Sequence, residues 1–343
     1  MSVRYPLLTR ALLLFTLFLL GTGSLQVAPA QSTDPGAVSV GDGTLTVGAL
    51  VQADAYLGDP SGDAFRARSA RLRLGGEVNS LQYVIQTDFS SSSVLLDAFA
   101  RLPLTNRLRL TAGLFKAPFS AEILTSRANI RFAERARVVN ALAPGRQAGV
   151  TLGGPVLPDR LSVTIGAFNG TGGLTPNDND HFLYVGRVEG RIPVGEDPLR
   201  IGTNAAYSVD DDVGLGRLAR PNYAGTRLLF GVDAGYETER WFAEAELETA
   251  ALDPDENEAS IPTSSDPFGF YLAGGVNVAP DHQLLARFDQ FDPDVPAQVT
   301  PDDQVTLGYN YEPTSVLRVV LNYQTPADEL SDGFVTGRLQ VAL

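Results

Sequence analysis

A basic segment lies in the middle of an acidic chain. Residues 114–140 read LFKAPFSAEILTSRANIRFAERARVVN, whereas the formal net charge of the whole chain is −14. Two glutamates, Glu122 and Glu134, face a larger set of cations: Lys116, Arg127, Arg131, Arg135 and Arg137. Guanidinium and ammonium groups bind oxyanions through charge-assisted hydrogen bonds. The segment therefore has the chemistry needed to bind or steer a small anion.

Charge is distributed unevenly along the chain. Residues 66–150 contain thirteen bases and five acids, whereas residues 151–343 contain eleven arginines and thirty acids. Many of those acids fall in stretches that resemble loops, such as Asp210–Asp212 and Asp253–Glu258. They form either a solvated acidic rim or, because carboxylate oxygens bind calcium, a set of calcium sites. No calcium-loop spacing is repeated, so no metal site is assigned.

Catalytic chemistry has little support in the sequence. A Ser-His-Asp hydrolase needs an oriented histidine, and the chain has only His181 and His282, which we expect far apart. Zinc chemistry also lacks its usual ligands, since there is no cysteine. We therefore expect no enzyme activity and no cofactor, and no nucleic-acid partner.

The N-terminus has the order of a secretory signal. Arg4 and Arg10 precede the apolar run 11–20, and Ala28-Pro29-Ala30 forms an A-x-A cleavage site before Gln31. The apolar run is too short for a stable membrane span. We expect residues 1–30 to be a cleaved signal peptide and residues 31–43 a short periplasmic segment; an uncleaved anchor helix is the alternative.

An alternation with a period of two dominates the chain from residue 44 onward. In Thr44–Tyr56 and again in Gln304–Tyr311, apolar residues fall on one face, which predicts strands with one apolar and one polar or small face. Their lengths match the ~9–11 residues with which a tilted strand crosses a bilayer. The predicted strands are 44–57, 65–77, 81–89, 95–104, 107–115, 147–155, 160–168, 181–193, 198–209, 226–237, 239–250, 268–279, 281–290, 302–312, 315–324 and 332–343.

The connections between these strands alternate between short and long. Turns such as 79–80 and 313–314 contrast with long connections rich in Asp, Asn, Pro and Gly, of which 116–146 is the longest. Short turns at one end and long loops at the other are typical of outer-membrane barrels. We predict an all-β fold: a transmembrane antiparallel β-barrel of about 16 strands over residues 44–343. A soluble double-sheet protein is the alternative, but its turns would not sort by length.

Strand parity places several charged residues inside such a barrel. With Leu72 and Leu74 toward lipid, Arg71 and Arg73 face the lumen, since a lipid-facing arginine costs roughly 2–4 kcal/mol at the midplane. Arg68 has the opposite parity, as does Arg66, and needs a bulge or a place at the mouth. The inner face is assigned Arg71, Arg73, Arg101, Arg109, Asp88, Asp97, Glu244, Glu246 and Glu248. The inward arginines either serve ion passage or pair with these acids.

A resemblance to a known family covers residues 44–173. The runs FRARSARLRLGGEV, LLDAFA, AGLFKAPFSAEILTSRANIRFAERARVVNALAPGRQAGVTLGG and GAFNGTGG closely resemble the phosphate-selective porin O and P family, in order and with the right spacing. The resemblance implies a trimeric outer-membrane porin whose longest loop folds into the lumen, with basic side chains forming a path for anions. The matching positions are Arg71, Arg73, Asp97, Lys116 and Arg146.

We therefore interpret the chain as a porin of the cell outer membrane that prefers small anions, phosphate or related oxyanions, at a constriction formed by residues 116–146. Its expected partners are outer-membrane lipid, small anionic solutes and further copies in a homotrimer. The predicted anion path is Arg71, Arg73, Arg101, Arg109, Lys116, Arg127, Arg131, Arg135 and Arg146. Family channels are rich in pore lysines, and this chain has one lysine; a general or cation-preferring porin is one alternative. A closed structural or binding barrel is the other.

The loop itself carries a further expectation. Arg127, Arg131 and Arg135 recur every four residues, the spacing of neighbours on one side of a helix. Ile123, Leu124, Ile130 and Phe132 would then give the loop an apolar side against the wall.

Overall fold

The chain forms a closed β-barrel in the computed structural model, which describes residues 38–40, 43–214, 223–255, 264–294 and 302–343. Each barrel strand pairs antiparallel with the next, and the last pairs with the first, which closes the ring of sixteen. The strands are β1 (Val38–Val40), β2 (Gly43–Leu57), β3 (Ala64–Val78), β4 (Leu81–Asp88), β5 (Leu95–Pro103), β6 (Arg109–Lys116), β7 (Arg146–Leu157), β8 (Leu161–Phe168), β9 (Leu183–Val194), β10 (Asp197–Val213), β11 (Tyr223–Glu237), β12 (Trp241–Pro254), β13 (Phe268–Ala279), β14 (His282–Asp292), β15 (Asp302–Thr314), β16 (Leu317–Pro326) and β17 (Phe334–Ala342). The predicted all-β barrel of about 16 strands is confirmed.

The short strand β1 lies outside the ring of sixteen. It pairs antiparallel with the start of β2, where Ser39 lies opposite Thr44. The sequence predicted only an irregular periplasmic segment over 31–43. The proposed signal peptide, residues 1–30, lies outside the described residues and stays a prediction.

The barrel is apolar outside and polar inside. On β15, Leu307 is 53% exposed whereas its neighbour Thr306 is fully buried, because successive side chains point to opposite faces of a strand. The same alternation exposes Val150 and Ile165 on the outer surface and buries Asn204 and Asn322 within. This arrangement is typical of a barrel whose outer face contacts lipid. Among the described residues, no helix is long and apolar enough to cross a bilayer.

The two ends of the barrel differ in their connections. One end, which we call the turn end, has tight turns such as Asn79-Ser80, whose φ values of 49° and 67° suit a two-residue hairpin. The other, the loop end, carries the long connections. The longest of these, residues 117–145, contains two short helices, α1 (Ala121–Leu124) and α2 (Arg137–Leu142).

The connection 117–145 folds into the barrel, and we call it the lumen loop. Its helix α2 packs against β12, β13 and β14, and Phe119, Val138 and Val139 are buried. Burial of these apolar side chains against the inner wall stabilises the inward position. The expected inward-folded third outer loop is thus present.

A bulge in β3 explains the parity of Arg66 and Arg68. Gln52 of β2 lies opposite Ser69, but the next residue, Ala53, lies opposite Ala67, so Arg68 is the extra residue that a β-bulge inserts. The bulge reverses the parity of the strand before it. Arg68 consequently points into the lumen without placing a charge in lipid, and the expected bulge is confirmed.

Candidate functional site

The lumen loop is held against the wall by hydrogen bonds to its backbone. The carboxylate of Glu246, on β12, accepts from the amides of Ala121 and Glu122 at 3.0 and 3.2 Å. On the other side of the barrel, the Oδ1 atom of Asn322 accepts from the Ala133 amide at 2.7 Å. Wall side chains therefore satisfy backbone groups that would otherwise be buried without partners.

Arg287, on β14, contacts the lumen loop through several groups. Its Nε atom donates to Asp289 at 2.7 Å and its Nη1 atom donates to the carbonyl of Glu134 at 2.9 Å. Its guanidinium carbon lies 4.6 Å from the centre of the Phe132 ring, and Nη1 lies 3.6 Å from Glu122. Since Arg287 is 2% exposed, these contacts replace its hydration.

Glu134 anchors the tip of the lumen loop to two arginines on barrel strands. Arg68 donates to both carboxylate oxygens at 2.8 Å, and Arg338 lies 3.6 Å away while it binds Asp54 with two bonds of 2.7 Å. Burial of Glu134 acts to raise its pKa, but the hydrogen bonds from Arg68, together with the positive charges of Arg68, Arg127 and Arg338, lower the pKa below its usual value. Glu134 is therefore held as a carboxylate, and the loop tip is fixed to β3 and β17.

The three loop arginines spaced four apart do not share one side of a helix, and that prediction is wrong. Residues 126–136 form turns and bends. The wall supplies the hydrogen bonds that a helix would otherwise make, since Arg318 donates to the carbonyl of Ile130 and Asn310 to that of Arg131, both at 3.0 Å. Arg127, Arg131 and Arg135 consequently point in three directions.

Two of those loop arginines are already occupied. Arg131 lies 2.7 Å from Glu237, and its guanidinium stacks 3.9 Å from the centre of the Phe242 ring. Arg135 is buried and donates to the carbonyls of Glu122 and Thr125. Arg131 thus binds the loop to the wall, and Arg135 forms hydrogen bonds within the loop. Neither guanidinium is therefore free to bind a solute.

Arg127 differs from both. It forms no ion pair within the described ranges, and its Nη1 atom is buried without a hydrogen-bond partner there. Burial and the nearby Arg68 lower the pKa of Arg127 to about 9, which leaves the side chain protonated at neutral pH. It is the loop cation with unused hydrogen-bonding capacity.

The remaining predicted cations of the constriction have partners. Arg71 lies 2.9 Å from Asp88, and Arg146 binds Asp97 with two bonds of 2.9 and 3.0 Å. The Nζ atom of Lys116 donates to two loop carbonyls, those of Leu124 and Thr125. Arg71 and Arg146 are neutralised by these acids, whereas the hydrogen bonds of Lys116 go to uncharged carbonyls.

Three arginines on the wall nearer the turn end form no ion pairs in the part of the chain that is described. Arg73 on β3 and Arg109 on β6 are exposed, and both lie within electrostatic reach of Arg101 on β5. Arg101 makes one side-chain hydrogen bond, from Nε to Thr111 at 3.3 Å. We call Arg73, Arg101 and Arg109 the wall arginines; they form a patch of uncompensated positive charge.

Four of the five acids assigned to the inner face have a partner, and the fifth, Glu248, is fully buried with no hydrogen-bond partner for its carboxylate oxygens among the described residues. Asp88 and Asp97 bind Arg71 and Arg146, as described above. Glu244 lies 3.7 Å from Arg131, and Glu246 is 2% exposed beneath the lumen loop. Their charge is therefore committed to structure rather than presented to a solute. Sequence reasoning missed Glu134, Arg287 and Arg338 as anchors, although the last two alternate with apolar residues as inward positions do.

Among the residues described, no three His, Cys, Asp or Glu side chains come together as a metal site. Asp210, in one of the acidic runs, is buried and lies 2.9 Å from Arg227, while residues 256–258 of the other run lie outside the described ranges.

Comparison with known proteins decides the family. A family model of phosphate-selective porin O and P matches residues 46–247, more than half of the chain. The chain belongs to this family. It is therefore an outer-membrane porin, a channel rather than an enzyme. The expectation from its sequence motifs is confirmed.

Solved structures share the fold of this porin at low sequence identity. A loop L8 deletion mutant of OmpT from Vibrio cholerae has a TM-score of 0.68 at 17% identity, covering 88% of this chain and 100% of that one. OmpT in a trimer form gives 0.61 at 16%, covering 88% and 99%. An anion-selective porin from Comamonas acidovorans gives 0.63 at 14%, covering 88% and 100%. No curated protein sequence matches.

Proposed function

We propose that this porin is an anion-preferring channel for phosphate or related oxyanions. The observation that carries the proposal is the asymmetry of pairing: the wall arginines form no ion pairs among the described residues, whereas four of the five inner-face acids have partners and the fifth, Glu248, is fully buried. In a narrow lumen, a passing ion responds mainly to the fixed charges that have no partner of opposite sign. Those unpaired charges are positive on β3, β5 and β6.

The path runs along one side of the lumen. Arg127 adds a cation without an ion-pair partner among the described residues at the lumen loop, and the wall arginines continue the positive charge toward the turn end. A guanidinium binds an oxyanion through two parallel hydrogen bonds, so arginine can take the part that lysine plays in other members of the family. Exposed arginines favour passage over retention, because water competes for each contact.

The reversal potential under a potassium chloride gradient tests this function. The wild-type porin in a planar bilayer is expected to give the sign of anion preference. The triple variant Arg73→Gln, Arg101→Gln, Arg109→Gln should move the potential toward zero, and Arg127→Gln should move it in the same direction by less. Arg191→Gln serves as the control, since Arg191 is equally exposed but lies 3.7 Å from Glu189.

Two results would overturn the proposal. Cation preference in the wild type would show that the acidic second half of the chain governs selectivity instead. An unchanged potential in the triple variant would remove the wall arginines from the path. If the porin prefers anions but is less permeable to phosphate than to chloride, only the phosphate assignment is rejected.

We also propose that the porin assembles as a homotrimer in outer-membrane lipid. The support is the similarity in fold to OmpT, which has been solved in a trimer form. Exposed apolar residues on the outer surface, among them Val51 and Ile85, are suited to contact either lipid or a second copy.

A further inference from the structure

A second part of the lumen has a different chemistry. A cavity of about 660 Å³ opens at the turn end, beneath the tip of the lumen loop and against β13 to β17. This volume falls within the ~300–1,000 Å³ range of small-molecule sites. Five carboxamide side chains line it: Asn129, Asn277, Gln283, Asn310 and Gln340. Both the wall and the loop therefore contribute amide groups.

The cavity lacks the free positive charge of the anion path. Its two arginines each have a glutamate partner: Arg131 lies 2.7 Å from Glu237, and Arg318 lies 3.0 Å from Glu312. Asp281, in the turn between β13 and β14, adds a further negative charge to the lining. An anion is consequently not favoured here, and the remaining chemistry is that of uncharged hydrogen bonding.

The wall amides are arranged in a hydrogen-bonded row. Gln283 donates to the Oδ1 atom of Asn277 at 3.0 Å, and Asn310 donates to the Oε1 atom of Gln283 at 3.3 Å. Asn310 is 2% exposed, and its own Oδ1 atom has no hydrogen-bond partner within the described chain. The row is therefore fixed in place, and the half-buried Gln283 and the exposed Asn129 present amide groups to the cavity from the wall and from the loop.

We propose that this cavity, the amide site, binds uncharged polyhydroxylated solutes of the sugar class. A hydroxyl group both donates and accepts, and a carboxamide offers two donors and an acceptor, so adjacent hydroxyls match a row of amides. Because both arginines at the margin are compensated, an anion has no advantage over a neutral solute. The site would hold a neutral solute against β13 to β17, while anions follow the arginines of β3, β5 and β6.

Conductance in the presence of maltose tests the proposal. Maltose lowers the bulk conductivity of the electrolyte in proportion to its concentration, whereas occupancy of a site adds a saturable decrease in channel conductance. We expect that saturable decrease in the wild-type porin, together with sugar-dependent current noise. Maltose is added to each side of the bilayer in turn, because entry from the turn end reaches the cavity first.

A double variant and a matched control assign the effect to the amide site. Asn129→Ala with Gln283→Ala removes one amide from the loop and one from the wall, and should abolish the saturable decrease. Asn310 is kept, since it also holds the loop through the Arg131 carbonyl. The control is Gln82→Ala, an exposed glutamine on β4 that pairs with Arg101 and does not line the cavity, which should leave the decrease intact.

The outcomes separate cleanly. A purely linear effect of maltose on the wild type would overturn the proposal, as would a saturable decrease that survives the double variant or disappears in Gln82→Ala. Sugar-free conductance and the reversal potential should be the same in the double variant as in the wild type. Because anion preference is read from the reversal potential alone, failure of either proposal leaves the other testable.

Discussion

Replacing Arg287 by methionine should release the lumen loop from the wall. Methionine fills much of the same volume but cannot bond Asp289 or the Glu134 carbonyl, nor offset the charge of Glu122 at 3.6 Å. Removing one partner of a buried ion pair costs about 3–5 kcal/mol, because the other charge is left without compensation. At 1.4 kcal/mol per factor of ten, the loop should open about 10²- to 4 × 10³-fold more often.

Limited proteolysis with trypsin measures that opening. The tryptic sites of the loop include the bonds after Arg127, Arg131 and Arg135, and all three are shielded while the loop packs on the wall. When reclosing is fast relative to cleavage, the cleavage rate follows the population of the open state. Mass spectrometry of the fragments should therefore show faster cleavage at these three bonds, by a factor of the same order.

The control for this experiment is Arg109→Met. It makes the same chemical change at an exposed arginine that forms no ion pair in the described chain, so loop cleavage should stay at the wild-type rate. The circular dichroism spectrum of both variants should remain that of a folded barrel. Equal loop cleavage in Arg287→Met and wild type would refute the view that this arginine anchors the loop.

Two further predictions concern the barrel and its assembly. Gly113 has a φ of 129°, and a Cβ there would lie 2.2 Å from the Ala98 carbonyl oxygen; Gly113→Ala should lower stability to urea by about 1–3 kcal/mol. Gly186→Ala, where a Cβ meets nothing within 4 Å, should leave it unchanged. The proposed homotrimer should have three times the protomer mass of the processed chain in native mass spectrometry from detergent, and a monomer alone would contradict it.

The barrel was predictable because alternation along a strand is a local property. Thr306 and Leu307 differ in polarity, and their opposite burial follows directly from a period of two. The difference between short turns at one end and long loops at the other was equally predictable, because the length of each connection is visible in the sequence. Even the bulge at Arg68 was foreseen, because a charged residue with outward parity would have been too costly in lipid.

The partners within the lumen were not predictable from such patterns. Glu134 and Arg68 are 66 residues apart, and nothing in their local sequences specifies that the loop tip reaches β3. The spacing of Arg127, Arg131 and Arg135 favoured a helix because spacing measures intrinsic preference alone. The wall overrode that preference, since Asn310, Arg318 and Asn322 offered the loop backbone other partners.

The pairing of the lumen acids changes how the net charge of −14 relates to ion selectivity. Glu246 binds loop amides, while Asp88 and Asp97 each bind an arginine, so these acids contribute to loop position more than to the field in the lumen. Arg73, Arg101 and Arg109 have no such commitment within the described chain. Selectivity should therefore follow the unpaired minority of charges, and an acidic porin can prefer anions without any excess of basic residues. The charge that matters to a permeating ion is the part that folding has left without a partner.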